Sequence, residues 1–322
     1  MRHKISLLGG AGYIGTVLTD ILLKKNYEVV CIDSLKFGKN AISKFLKNKK
    51  YKFFKLDTYN FNKVIKLIKN SKAVVDLSGI VGDPACSINE KNTYLSNYLN
   101  TIKIIDNLKK KDVERYIYIS SCSVYGSSKG KKLIKENSKV KPISLYADLK
   151  IKCEKYILKK SSNKFTPVIL RLATVFGYSP RQRFDLVINL FTLFEYLKRK
   201  IQVFGGDQYR PNVHVYDVGV AIVKCIESEN SLIKKQIFNV GSNKLNHKIK
   251  DLAKLIGKKT KNGKSLSNDT EVVEWILEEA KVAAVPGSAF GLEPYFRVSY
   301  ATSTEDLKIA IQNLKNSVSE LI

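Results

Sequence analysis

Short apolar runs alternate with helical patterns along the chain, from the N-terminus to about residue 240. The runs at 4–8 (KISLL), 28–32 (EVVCI), 52–56 (KFFKL), 73–77 (AVVDL), 115–119 (RYIYI), 167–172 (PVILRL) and 236–240 (QIFNV) read as strands. They are continuous rather than alternating, the pattern of strands covered on both faces. Between the first two, Ile14, Val17, Leu18, Ile21 and Leu22 fall on one helix face. Strands separated by helices imply βαβ units, so the pattern predicts an α/β fold with a doubly wound parallel sheet. No internal repeat or low-complexity segment stands out.

Composition narrows the functional classes. A chain of 322 residues has room for about two domains. Its 44% hydrophobic content suffices for a core. No run of 18 apolar residues marks a transmembrane helix. The first eight residues run straight into a glycine-rich turn with no cleavage site, so the protein reads as cytoplasmic. Cys31, Cys86, Cys122, Cys153 and Cys225 are odd in number and form no CxxC pair, which predicts reduced thiols and no metal site. The net charge of +27 raises the question of nucleic acid. The lysines are scattered among Ile and Asn, however, without the basic and aromatic stripe of a strand binder. Neither nucleic acid nor membrane is expected as a partner. A positive field does suit a small anionic substrate.

The charge is unevenly distributed. Residues 265–322 carry four basic and nine acidic residues, a net of −5, against +32 for the remainder. Between the two, Gly257-Lys-Lys-Thr-Lys-Asn-Gly-Lys-Ser265 contains two glycines and no apolar residue and reads as a linker.

Two groups of residues carry chemistry. Gly9-Gly-Ala-Gly-Tyr-Ile-Gly15 sits between the first strand and the first helix, where a dinucleotide turn belongs. There Gly9 permits the turn, Gly12 admits a pyrophosphate close to the backbone, and Gly15 allows close helix packing. The second strand ends at Asp33, 18 residues after Gly15. A carboxylate there accepts from ribose hydroxyls and repels a 2′-phosphate, which favours NAD over NADP. The second group is Tyr146-Ala-Asp-Leu-Lys150. The chain holds six Tyr-x-x-x-Lys matches, starting at Tyr51, Tyr59, Tyr125, Tyr146, Tyr156 and Tyr196. Tyr146 is selected because it opens a predicted helix after Pro142 and follows Ser120-Ser-Cys-Ser-Val-Tyr-Gly126 at the end of the fifth strand. At i,i+4 spacing Lys150 shares its helix face and can depress its pKa, fitting Tyr146 for general acid/base work.

These motifs together resemble the extended short-chain dehydrogenase/reductases, the NAD-dependent epimerase/dehydratase family, over roughly residues 1–258. The resemblance implies a Rossmann-type domain over 1–175 and substrate-domain segments over 176–258, with strand 236–240 returning to the sheet. It implies NAD as cofactor, held by Gly9, Gly12, Tyr13, Ile14, Gly15, Asp33, Asp57, Leu77, Ser78 and Gly79 along with Tyr146 and Lys150. It implies Ser121, Tyr146 and Lys150 as catalytic residues, with Asn97 supporting the active-site water network. Ser123, Thr174 and Arg210 would bind substrate, Arg210 through the R-x-x-x-H-V-x-D segment that contacts a diphosphate. His214 in that segment reads as structural. Sugar 4,6-dehydratases of the family carry Asp-Glu where this chain has Cys122-Ser123, so epimerase or reductase chemistry on a nucleotide sugar is expected. The alternative is a non-catalytic or impaired NAD-binding protein. A homodimer is left open.

Beyond the linker region 259–266 the resemblance changes. Pro286-Gly-Ser-Ala-Phe-Gly291 and Tyr295-Phe-Arg-Val-Ser-Tyr-Ala-Thr-Ser303 resemble the C-terminal piece of fold-type I, aspartate-type aminotransferases, over residues 267–322. In that family the Arg at the Arg297 position grips the substrate's α-carboxylate. The large domain with the pyridoxal-phosphate lysine has no counterpart here, so no transaminase chemistry is expected. A smaller, truncated substrate domain and a foreign α/β tail, as left by a gene fusion, complete the expected fold. Trp275, Ile276 and Phe290 are expected to lack native partners and to pack loosely.

Overall fold

The computed structural model describes residues 3–108, 113–126, 133–197, 201, 203, 206–261, 268–292, 295–298 and 302–320. The chain divides into two compact units, Met1–Leu190 with Asp207–Lys248, and Phe191–Gly206 with Ile249–Ile322.

The order of elements in the first unit begins β1 (Lys4–Leu8), α1 (Tyr13–Lys24), β2 (Glu28–Asp33), β3 (Tyr51–Lys55), α2 (Phe61–Ile68) and β4 (Ser71–Asp76). Next come α3 (Asp83–Ile88), α4 (Glu90–Tyr94), a π-helical segment Leu95–Leu99, α5 (Asn100–Asn107), β5 (Val113–Ser121), α6 (Leu145–Lys159), β6 (Thr166–Leu172) and β7 (Thr174–Phe176). After α7 (Val187–Tyr196), which crosses the boundary between units, follow β8 (Tyr209–His214), α8 (Val215–Glu227), α9 (Asn230–Ile233), β9 (Gln236–Val240) and β10 (Asn246–Lys248).

Seven strands form one sheet in the order β3-β2-β1-β4-β5-β6-β9, with each neighbouring pair parallel. Its two faces are built from alternate residues of each strand. In β2, Val29 and Cys31 join Leu18, Ile21 and Leu22 of α1 and Ile222 of α8 on one face. Val30 and Ile32 join Val64, Ile68, Ile104 and Ile157 of α2, α5 and α6 on the other. This two-sided cover is why the strands read as unbroken apolar runs. The run at 115–119 lengthens to Val113–Ser121 because β5 is central and hydrogen-bonded on both sides, to β4 and β6. A small sheet, β10-β8-β7, lies in the same unit. The doubly wound α/β architecture is as expected, and the strand order reverses at β1 and β4, where such sheets hold ligands.

In the second unit α10 (Ile249–Lys261) continues through the stretch read as a linker as far as Lys261, and residues 262–267 lie outside the described residues. Lysine is a good helix former, and Ile249 and Leu252 anchor the helix by burial. The tail then forms α11 (Asp269–Trp275), a π-turn Ile276–Ala280, the antiparallel pair β11 (Ala284–Pro286) and β12 (Phe296–Val298), and α12 (Thr304–Glu320). Residues 299–301 of the aminotransferase-like motif lie outside the described residues.

Trp275 and Ile276 correct the expectation of missing partners. Both are buried in a cluster with Ala280 and Val282, packed by Val272, Ala284, Val298, Ala310 and Leu314. The fragment brought these partners with it. Asp269 Oδ2 also accepts from the Ser288 N–H at 2.6 Å, tying α11 to the turn that carries the PGSAFG residues. Phe290 does stay exposed, with the Arg297 guanidinium 5.1 Å from its ring centre. Trp275→Ala should therefore lower the local stability of the tail by about 3–5 kcal/mol, the usual loss for a buried Trp. Native-state amide exchange checks this, with protection falling over residues 272–282 and not over the sheet of the first unit.

Candidate active site

β1 hands over to α1 through Gly9, whose φ is +74°. A Cβ at Gly9 would meet the Leu77 carbonyl carbon and oxygen at 2.9 Å, so the turn lies against the loop that leaves β4. Gly15 permits a closer approach still: a Cβ there would stand 2.5 Å from the Gly10 carbonyl oxygen. The third glycine thus lets the helix close on its own turn. Gly12 precedes α1 without a side-chain cap, and no acidic residue sits in the first turn. Such a helix start presents backbone N–H groups and a positive dipole to an anion.

Asp33 braces this turn. Its Oδ2 accepts from the Ala11 N–H at 3.1 Å and its Oδ1 from the Leu35 N–H at 2.8 Å. The side chains of Tyr13 and Ile14 turn inward instead. Tyr13 Oη donates to the Gly177 carbonyl at 2.6 Å and accepts from Asn189 Nδ2 at 3.2 Å. Ile14 packs on the core. These two residues can face a cofactor through their backbone alone. Asp57, half-buried after β3, accepts from the Tyr59 N–H at 3.1 Å.

The Asn97 side chain is fixed on the loop after β4. Its Oδ1 accepts from the Ile80 N–H and its Nδ2 donates to the Ile80 carbonyl, both at 2.7 Å. These bonds pin the residue that follows Leu77-Ser78-Gly79. Ser78 is also fixed, donating through its hydroxyl to Asp76 at 2.6 Å.

Tyr146 stands in the first turn of α6, which Ser144 caps by accepting from the Ala147 N–H at 3.3 Å. One turn on, Lys150 is buried, donates to the Ile119 carbonyl at 2.7 Å, and lies 5.7 Å from the Tyr146 ring centre. Burial pushes the Tyr146 phenol upward, and the Arg183 charge opposes this. Burial likewise pushes the Lys150 ammonium down. Ser121 caps the turn Cys122–Tyr125, and Ser123 donates to it through its N–H at 3.2 Å and its hydroxyl at 3.0 Å. Burial raises the Cys122 thiol, while the charge of Arg210 on β8 lowers it. Thr174 opens β7 opposite Asn212 of β8. His214 accepts from the Tyr216 N–H at 3.3 Å and caps α8, a structural role.

The competing matches are spent elsewhere. Tyr51 is buried in the core, and Tyr156 donates to Asp106, the same carboxylate that pairs with Lys160 at 2.6 Å. Lys129 and Lys200, the partners of Tyr125 and Tyr196, lie outside the described residues. Tyr146 lines a cavity of about 350 Å³, shared with Asp83, Cys86, Glu90, Ser144 and Leu145. A cavity of about 370 Å³ lies at the opposite strand ends, walled by Arg115. That guanidinium is committed to the carbonyls of Cys225, Ile226 and Ser228 at the end of α8.

Residues 5–241 match the model of the NAD dependent epimerase/dehydratase family. The chain belongs to this family. It is 29% identical over 249 residues to a putative UDP-glucose 4-epimerase of Methanocaldococcus jannaschii, covering 74% of this chain and 77% of that protein. Among solved structures, UDP-glucuronic acid 4-epimerase from Bacillus cereus in complex with UDP-glucuronic acid and NAD is similar at a TM-score of 0.71 and 25% identity, covering 80% of this chain and 83% of that one. A second similarity is confined to a short segment. Over 68 residues the chain is 53% identical to a probable aspartate/prephenate aminotransferase of Rickettsia bellii, and it spans only 17% of that protein's length. Both expected resemblances are thus found in one chain.

Within the epimerase/dehydratase unit, several residues around the site were missed in the sequence. Ser179 and Thr16 share a hydrogen bond at 2.9 Å, and Ser179 donates to the Tyr13 carbonyl at 2.7 Å, closing the 177–189 loop on the start of α1. Arg183, ion-paired with Asp185, sends its field to Tyr146. Two arginines in Pro180-Arg-Gln-Arg-Phe-Asp185, in a chain whose cations are mostly lysines, were the available signal.

Proposed function

We propose that the first unit is an NAD-dependent enzyme that epimerises or reduces a nucleotide sugar, with Tyr146 as its acid/base. The observation that carries this reading is Tyr146 on the wall of the cavity, with a buried lysine one helical turn behind it. The residues fit the cofactor. The uncapped start of α1 suits a pyrophosphate, Asp33 stands at the end of β2 for the ribose, and the Leu77-Ser78 loop lies against Gly9 of the turn. NAD, when bound, supplies the nicotinamide carbon that takes a hydride from a sugar carbon and returns it, to the opposite face in an epimerase.

The chain's own residues manage the proton. Tyr146 removes the proton from a sugar hydroxyl at its phenolic oxygen and gives it back to the carbonyl. To accept that proton Tyr146 must stand as the phenolate, which burial opposes and which the Arg183 charge and the Lys150 ammonium one helical turn behind favour; once protonated by the sugar hydroxyl, the same phenol is the donor that returns the proton. Ser121 donates to the same substrate oxygen. Arg210, whose field reaches Cys122, grips the diphosphate with its planar fork. Elimination is disfavoured, since burial keeps the Cys122 thiol protonated and Ser123 offers no carboxylate.

Cofactor choice gives a first test. Two like charges at 4 Å repel by roughly 1–4 kcal/mol, so NADP should bind about tenfold or more weakly than NAD beside Asp33. Calorimetry on the purified protein checks this, and Asp33→Ala should narrow the gap. Equal affinities in the unaltered protein would contradict the assignment of Asp33.

A further inference from the structure

Asp76 closes β4 and is buried, 1% exposed, at the end of an otherwise apolar run from Ala73. Its Oδ2 accepts from the Tyr116 hydroxyl at 2.7 Å, and its Oδ1 from the Ser78 hydroxyl at 2.6 Å and N–H at 3.1 Å. In the sheet it stands opposite Tyr118 of β5, and the Lys150 ammonium lies 4.5 Å from the centre of that Tyr118 ring. Lys150 is itself 5% exposed and donates to a neutral carbonyl at Ile119. An ammonium so placed is costly unless a counter-charge stands near.

We propose that Asp76 is a positioning residue for proton transfer: its carboxylate is the counter-charge that keeps the Lys150 ammonium charged beside Tyr146, and its bonds to Ser78 tie that charge to the loop bordering the cofactor turn. The proposal rests on the reading of Tyr146 and Lys150 as the acid/base pair. Among the described residues whose charge acts on Lys150, the others are poorer counter-charges. Cys153 on α6 is pushed up to about 11 by burial, and Cys86 on α3 is also raised, so both are neutral thiols near pH 7. The phenols of Tyr118 and Tyr146 are raised by burial and are neutral as well. Glu154 on α6 is committed to Arg171 at 2.6 Å. Asp76 leads the charges that oppose the downward push of burial on Lys150.

The test reads Lys150 directly and needs neither cofactor nor substrate. The protein is labelled with 13C-lysine, the Cε resonance is assigned by its loss in Lys150→Arg, and its titration is followed by NMR. In Asp76→Asn the midpoint should fall by about one pH unit or more, a roughly tenfold weaker hold on the proton. Asp76→Glu, which keeps the charge, should restore it. The basic limb of the turnover profile should move down with it in Asp76→Asn, because a neutral lysine no longer supports the phenolate. An unchanged midpoint in Asp76→Asn overturns the proposal. Should that variant not fold, the unaltered protein decides: a Lys150 midpoint in the range of about 5–6 reached by buried lysines without a counter-charge overturns it, and a midpoint above that range supports it. The two readings fail separately. Full turnover in Tyr146→Phe removes the acid/base reading, whereas an inactive Tyr146→Phe with an unmoved Lys150 in Asp76→Asn removes only the role of Asp76.

Discussion

Tyr146→Phe should reduce turnover by roughly 10²–10⁴-fold, the usual worth of a positioned acid/base, while NAD affinity stays nearly unchanged. In the proposed reaction the phenolic oxygen exchanges a proton with the sugar, and Phe lacks it. The cofactor turn is untouched, since the α1 start and Asp33 belong to β1, α1 and β2, and Tyr146 belongs to α6. The ring position survives because Ser144 caps the helix and Lys150 holds the next turn to Ile119. Tyr156→Phe is the matched control. Its hydroxyl is spent on Asp106 at the surface, so kcat should not change. Steady-state kinetics on both variants, with NAD affinity by calorimetry, checks the pair of outcomes. Wild-type turnover in Tyr146→Phe would show that another group carries the proton.

The largest loss of stability is expected from Glu154→Ala. Glu154 and Arg171 are nearly inaccessible, with side chains 3% and 5% exposed, and the guanidinium forks onto both carboxylate oxygens at 2.6–3.2 Å. Arg171 also donates to Tyr125 Oη at 2.8 Å, which in turn donates to Asn239 at 2.7 Å, so α6, β6 and β9 share one network. Removing the carboxylate strands a charge in the core and should cost about 3–5 kcal/mol. Denaturant unfolding followed by far-UV circular dichroism measures it. The double variant Glu154→Met with Arg171→Leu should recover much of the loss, because no charge is then left unpaired. A loss under about 1 kcal/mol in Glu154→Ala would mean the pair behaves like an exposed one.

What could be read from the chain beforehand is local. Gly9 to Gly15, Asp33 and the Tyr146–Lys150 pair are short motifs whose geometry is set within one turn or one helix. The sheet was legible for a similar reason, since strands covered on both faces announce themselves by unbroken apolar runs. The rest depends on contacts far apart in sequence. Tyr13 reads as part of the cofactor turn, yet its hydroxyl is taken by Gly177, 164 positions away. The Asn97 amide clamps Ile80, 17 positions back, a contact that no local motif announces. Lysines between Gly257 and Lys261 read as a linker but extend α10, because polarity alone does not separate a solvated helix from a loop. Asp76 was passed over as the end of a strand. A lone carboxylate closing an apolar run was the signal, and only the fold shows that Tyr116 bonds it there and that its charge reaches Lys150.

One measurement tests the central claim most directly. Purified protein, supplied with NAD, is incubated with a panel of UDP- and dTDP-linked sugars, with nicotinamide absorbance recorded and sugar products resolved by chromatography. The account predicts that at least one nucleotide sugar is converted, to its epimer without net absorbance change or to a reduced or oxidised product with one, and that Tyr146→Phe loses the conversion. A protein that binds NAD tightly yet converts no member of the panel would contradict it and leave the first unit a cofactor-binding module without catalysis.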